Sequence, residues 1–269
     1  MAFDKNNTGY TLLFSTVMVV VVGASLAYTA LALKGQQDAN AADKKMTEIL
    51  GAIGVKADRA SARVEFEKYI TERVAIDASG KVIAQYEKGK PVDSADGEDP
   101  FNIDVMKDYR ATIKPVVKAS KDNPDAVVTA VKDLRFPLYR CSKDGKELLI
   151  IPVVGSGLWG PIWGYVALEA DGKTIYGANF DHKSETPGLG AEIKETFFTE
   201  KFKGKTLAAG STKLFTVVKG GAPVDDHSVD GITGGTITSK GVDEMVDRTL
   251  KLYQGYLNSV SNLQASVQP

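Results

Sequence analysis

A single cysteine, Cys141, and two histidines, His182 and His227, are all that this chain of 269 residues offers to thiol and imidazole chemistry. One thiol forms no internal disulfide and cannot hold an iron–sulfur cluster on cysteines. Two histidines far apart in sequence leave almost no material for a zinc site, so no metal ligands are expected. An excess of either charge is missing too: 33 Lys and Arg against 34 Asp and Glu give a formal net charge of −1. With no basic patch and no RNA-reading motif, nucleic acid is not expected as a partner.

One run lacks charge altogether. From Tyr10 to Leu33 there are 24 uncharged residues, about 36 Å of helix at ~1.5 Å per residue, enough to cross a bilayer. Tyr10 and Tyr28 are amphipathic, and Lys34 marks the far edge. The rival reading is a cleaved signal peptide with Ala39-Asn40-Ala41 as its site. The length of the run exceeds an ordinary signal core and favours an uncleaved anchor. Flanking charges (Lys5 against Asp4 before it, Lys34, Lys44 and Lys45 after it) do not fix its orientation. One span makes no conduction path, so movement of any solute through the membrane needs partner subunits.

After the anchor, Asp43 to Ile53 has helical spacing, and a second helix is expected over Ser61 to Arg73. Val74 to Tyr86 reads as a hairpin around Ser79-Gly80, and residues 88–100 as a polar loop. Pro115 and Pro124 break the stretch from 101 to 133. From Phe136 the pattern turns to strands, with hairpins at Asp144-Gly145 and Asp171-Gly172 and another strand from Lys213. The run from Ile193 suits a short helix that stops at Gly204. Val242, Met245, Val246, Thr249, Leu250, Tyr253, Leu257 and Val260 form one face of a long last helix. Strands followed by helices in this order suggest an α+β domain.

Three stretches bear on chemistry. GSGLWG, Gly155 to Gly160, matches G-x-G-x-x-G, but Pro161 and a strand-like run follow where a dinucleotide site needs a helix. The glycines are better read as a tight passage exposing Trp159 and Trp163, either of which could pack in the core or cover a planar ligand. The stretch from Asp181, DHKSETPGLGAEI, sets a turn at Pro187-Gly188. It is either a polar loop or a ligand turn, with Glu185, Thr186 and the Gly188 amides facing the ligand and Leu189 covering it. GITGGTITSKG, from Gly231, holds Thr233, Thr236, Thr238 and Ser239 around Gly234-Gly235 at the start of the last helix. A helix cap needs one hydroxyl. Four hydroxyls and a glycine pair at a helix N-terminus point to phosphate, and no Walker A pattern accompanies them.

DGITGGTITSKGV resembles the flavinylation motif of FMN-binding domains, an Asp followed by Ser-Gly-Ala-Thr-x-Thr. In that family the final threonine carries FMN through a phosphoester, and the matching position is Thr238. Asp230, Gly234 and Thr236 match the motif, whereas Thr233 stands for the usual Ser and Gly235 for the usual Ala. GLWGPIWGYVAL and FDHKSETPGLGAEI resemble companion motifs in the C subunit of sodium-translocating NADH:quinone oxidoreductases. The alternative is the G subunit of Rnf-type electron-transport complexes, which is usually shorter before the FMN domain. A different class, a non-redox assembly module, would make the hydroxyl stretch a helix cap and the Trp stretch a docking surface.

The resemblance implies an α+β fold: one N-terminal transmembrane helix, then an exported FMN-binding domain of antiparallel sheet plus helices. The expected layout is a cytoplasmic stub at 1–9, a span at 10–33, an N-terminal soluble part at 34–135, the FMN-binding domain at 136–260 and a tail at 261–269. It also implies an electron carrier in a bacterial inner membrane with its soluble domain in the periplasm. The partners implied are the other subunits of the complex and a flavin transferase that uses FAD and Mg²⁺. The flavin site residues implied are Thr238, Asp230, Thr233, Gly234, Gly235, Thr236, Glu185, Thr186, Gly188, Leu189 and Trp159, with no catalytic residue in the chain.

Overall fold

A computed structural model describes residues 8–119, 125–208 and 210–267. Most of the expected stub and the break expected at Pro124 lie outside these residues. The chain divides into two compact units, Met1–Lys44 and Lys45–Pro269. The uncharged run lies in helix α1, Thr8–Ala52. This helix is long and apolar enough to cross a membrane, and none of that apolar window is buried by the protein. The hydroxyls of Thr16, Ser25 and Thr29 donate to carbonyls four residues earlier at 2.7–2.8 Å. Polar atoms within the run are thereby satisfied without water. Helix α1 continues unbroken to Ala52, so the helical spacing from Asp43 belongs to the same helix as the span. Gly54, in the left-handed region at φ 72°, ends it.

The second unit is built on a six-stranded antiparallel sheet in the order β2-β1-β3-β4-β5-β6. Its strands are β1 (Ile70–Ile76), β2 (Val82–Glu87), β3 (Phe136–Lys143), β4 (Lys146–Ser156), β5 (Pro161–Glu169) and β6 (Ile175–His182). Both expected Asp-Gly hairpins are present. Asp144 (φ 52°) and Gly145 (φ 76°) have the two left-handed residues of a tight hairpin turn. Helix α2 (Ala62–Tyr69) is shorter than the expected Ser61–Arg73. From Ile70 the chain is strand, because Val74 pairs with Leu138 on one side and Gln85 on the other, and sheet pairing overrides helical spacing.

Strand β4 is buried on both faces over most of its length. Leu149, Ile151 and Val153 join a core with Val242, Met245, Val246, Leu250, Tyr253 and Leu257 of the last helix, α3 (Thr236–Val267). The alternate residues Leu148 and Ile150 are buried outside that core. There Phe66 and Phe101 meet Tyr139 edge-on, and Asn179 Nδ2 donates to the Glu48 carbonyl at the end of α1. The sheet thus lies between α3 and the end of α1 with α2. Cys141 is buried, and burial pushes its thiol up to about 12, so it is an inert core residue.

Three further regions depart from the sequence pattern. No break falls at Pro115: residues 105–119 are helical throughout, with a π-helical turn at Tyr109–Ile113 just before the proline. The expected helix from Ile193 is one α-turn, Thr196–Thr199, between the 3₁₀ turns Gly190–Lys194 and Glu200–Phe202. The strand expected from Lys213 is shortened to β7 (Thr216–Val218), which pairs parallel with β8 (Ser228–Asp230). Three residues are too few for β8 to show alternation in sequence. Asp243 and Asp247, one turn apart on α3, accept from the Val217 and Leu214 amides at 2.7 Å each. They fix β7, hence β8 and the loop that enters α3.

A chain starting at residue 35 is expected to keep the urea stability of the full chain. One starting at residue 55 loses Met46, Ile49, Leu50 and Ile53, each buried and each worth about 1.5–3 kcal/mol. It should be less stable by several kcal/mol. Equal stability of the two chains would show that the end of α1 is no part of the core.

Candidate functional site

Three connections meet at the start of α3: the β4–β5 hairpin loop, the turn after β6 and the loop after β8. The first is closed by the Gly157 amide donating to the Gly160 carbonyl at 2.8 Å. The G-x-G-x-x-G stretch is therefore a hairpin loop, with no helix after it. It leaves Trp159 66% exposed, while Trp163 is half-buried with its indole Nε1 donating to Glu48 at 3.3 Å.

The turn after β6 brings Glu185 inward. Its amide donates to His182 Nδ1 at 3.1 Å, and the residue is 5% exposed. Oε1 accepts from the Trp159 amide at 2.8 Å, and Oε2 accepts from Thr238 Oγ1 at 2.5 Å. Thr238 is itself 2% exposed. Gly190 closes the contact, since a Cβ there would lie 2.3 Å from Thr238 Oγ1 and 2.5 Å from Glu185 Oε2. Only glycine permits this approach.

The three hydroxyls at the helix start differ in their bonds. Ser239 Oγ accepts from the Ile232 amide at 2.9 Å and so holds the entering loop. The Thr236 side chain is half-buried and makes no side-chain hydrogen bond among the described residues. Thr238 alone of the three touches a carboxylate.

Gly234, at φ 81°, turns the loop beside Leu189, whose side chain is 43% exposed; Gly235 packs against the Leu189 backbone and Ile232. Thr186, Gly188 and Thr233 are exposed. Asp230 does not join the Thr238 cluster. Its Oδ1 accepts from the Gly221 amide at 2.7 Å, and Lys201 Nζ reaches its carbonyl at 3.1 Å and Oδ2 at 3.4 Å. Asp230, Thr233 and Gly188 instead line an open cleft with Lys201, Glu192 and Phe197. In the sequence Phe197 and Lys201 read only as part of a short helix, and Glu192 falls in the stretch from Asp181 without being singled out.

Most of this arrangement suits a planar, phosphate-bearing ligand. The first amides of α3 are left unpaired by the helix itself and favour an anion. Lys201 adds a positive charge, and Trp159, Leu189 and Phe197 offer exposed apolar surface. Glu185 is the exception. An anion bonded at Thr238 Oγ1 would stand about 4 Å or less from its carboxylate, a repulsion of roughly 4 kcal/mol at an effective dielectric of about 20. The residues fit the group provided that Glu185 is neutral or turns away.

Residues 157–251 match the FMN-binding domain family. The chain is 31% identical over 255 residues to the C subunit of the Na(+)-translocating NADH-quinone reductase of Vibrio parahaemolyticus, covering 90% of this chain and 89% of the relative. The chain belongs to the family of these C subunits. The protein of that name from Neisseria meningitidis serogroup B is 33% identical, with 89% and 88% covered. The crystal structure of the Parabacteroides distasonis C subunit superposes with a TM-score of 0.65 at 35% identity, covering 84% of this chain and 96% of that one. This membership favours the first resemblance over the Rnf-type alternative, and the FMN-binding match counts against a purely structural module.

Gly190→Ala is expected to drive apart Thr238 and Glu185 and to cost about 1–3 kcal/mol, the usual range for overpacking. Urea unfolding measures it; an unchanged midpoint would mean that the close approach at Gly190 does not exist.

Proposed function

We propose that the chain is a membrane-anchored electron carrier of a Na⁺-translocating NADH:quinone oxidoreductase and holds FMN by a phosphoester to Thr238. The observation that carries the assignment is the hydroxyl of Thr238. It sits in the first turn of α3 and donates to a buried carboxylate, while Ser239 is committed to the loop and Thr236 bonds to no base among the described residues. When bound, FMN supplies the capacity to accept and release electrons.

The chain's own residues bind and orient. The α3 amides and Lys201 would hold the phosphate, and Leu189 and Trp159 would offer apolar surface to the ring. Thr186 and Gly188 would border it, and Gly234 and Gly235 would let the loop backbone come close. Asp230 holds the Gly221 turn and Lys201 in place. No NADH site is assigned to this chain, so electrons arrive from and leave to other subunits. The uncharged part of α1 anchors the protein in a bacterial inner membrane, the soluble unit faces the periplasm, and a flavin transferase using FAD and Mg²⁺ attaches the cofactor there.

Thr238→Ala is expected to abolish flavin fluorescence of the denatured protein while leaving α3 folded. Peptide mapping of the unmutated protein decides the residue: an FMN mass on Thr236 or Ser239 would overturn the assignment. Leu189→Asp is expected to leave attachment intact and to lower the flavin midpoint potential, because a negative charge beside the ring disfavours gain of an electron. A redox titration that finds no shift would remove Leu189 from the ring site.

A further inference from the structure

Thr238 Oγ1 cannot bond to phosphorus while it keeps its proton, and the atom that already receives that proton's hydrogen bond is Glu185 Oε2 at 2.5 Å. Building on the attachment at Thr238 proposed above, we infer that Glu185 is the catalytic base of its own chain's flavinylation and stays protonated afterwards as a donor to the new phosphoester. Three observations converge on this carboxylate. It is buried, with 5% of the residue exposed, and so is shielded from water that would compete for the proton. The Trp159 amide fixes its other oxygen at 2.8 Å, aiming Oε2 at the hydroxyl. Among the described residues neither neighbouring hydroxyl has a carboxylate on it, so the same contact that removes the proton selects Thr238.

The step balances. Oγ1 forms a bond to the flavin-side phosphorus of FAD, and the bond from that phosphorus to the bridging oxygen breaks. AMP leaves with the bridging oxygen and the electron pair, its charge met by Mg²⁺, and the Oγ1 proton passes to Glu185 Oε2. No oxidation state changes. The product places a phosphodiester anion against a neutral carboxyl, which removes the repulsion that an ionised Glu185 would impose. The transferase then has to supply only the dinucleotide, the metal and the alignment.

The test measures initial rates of covalent flavin incorporation into the full-length chain with purified transferase, FAD and Mg²⁺. It reads fluorescence of the denatured protein and the mass of the Thr238 peptide. Glu185→Gln keeps the shape and can still accept from the Trp159 amide, yet it takes no proton; it is expected to slow attachment about 100-fold or more. Glu185→Asp restores the base at shorter reach and should recover part of the rate. Attachment at Thr238 by Glu185→Gln at the unmutated rate overturns the inference. If Glu185→Gln does not fold, carbon-13 NMR of labelled Glu185 in the unmutated, flavinylated chain decides instead. A protonated carboxyl at neutral pH supports the inference and an ionised one overturns it. Failure of the parent reading looks different: the unmutated chain then gains no flavin mass, or gains it on another residue.

Discussion

The first turns of α3 rest on backbone rather than on side chains, and the site depends on that seating. At Gly241 a Cβ would lie 2.3 Å from the Ser156 carbonyl oxygen, and at Gly190 it would collide with Thr238 and Glu185. These two glycines bring the helix N-terminus against the end of β4 and under the turn after β6. A helix stood off by one methyl at either point would leave Glu185 short of Thr238. The helix is drawn into this position by its apolar face, with Val242, Met245 and Val246 fully buried on the sheet. Burial of the long face supplies the free energy, and the glycines determine where it places the hydroxyl.

The acidic residues of α3 extend the same constraint outward. Asp243 and Asp247 take up amides of Val217 and Leu214 in the β7 segment, and β7 supplies the partner for β8. The loop after β8 returns to the helix through Ser239, which accepts from Ile232. Helix, short strands and loop close a ring of contacts in which Ser239 holds the loop and Thr238 meets Glu185. Two hydroxyls of this helix start thus have separate tasks, and neither is a simple cap.

Features carried by neighbouring residues were legible in the sequence. The uncharged run, the Asp144-Gly145 hairpin, the period of α3 and the glycine–hydroxyl stretch are all local patterns. The partner of Thr238 was not, because Glu185 lies 53 residues earlier and only the fold joins them. Glu185 could be suspected from its motif, but its oxygen could not be assigned a donor. Lys201 shows the same limit, since a lysine in a short helix carries no mark of the cleft it will line. The start of β1 at Ile70 and the three residues of β8 were hidden for another reason: strand pairing decided them, and pairing is a property of two distant segments. Asp230 illustrates the converse. Its motif position is clear, but the structure turns it toward Gly221 and Lys201 rather than toward Thr238.

On the proposed reading, the shape of the site accounts for a covalent cofactor. Ligand pockets usually bury most of their ligand. Here Trp159, Leu189 and Ile237 are exposed, and the cleft lined by Gly188, Thr233 and Phe197 is open. A flat ring laid on such a platform buries one face at most, and retention by contact alone would be weak. A phosphoester makes retention independent of that contact area. It also leaves an edge and a face of the ring open, which is the geometry that exchange with another subunit needs. Enclosure would raise affinity at the expense of access, so a carrier that must meet partners gains more from one bond at Thr238 than from a deeper pocket.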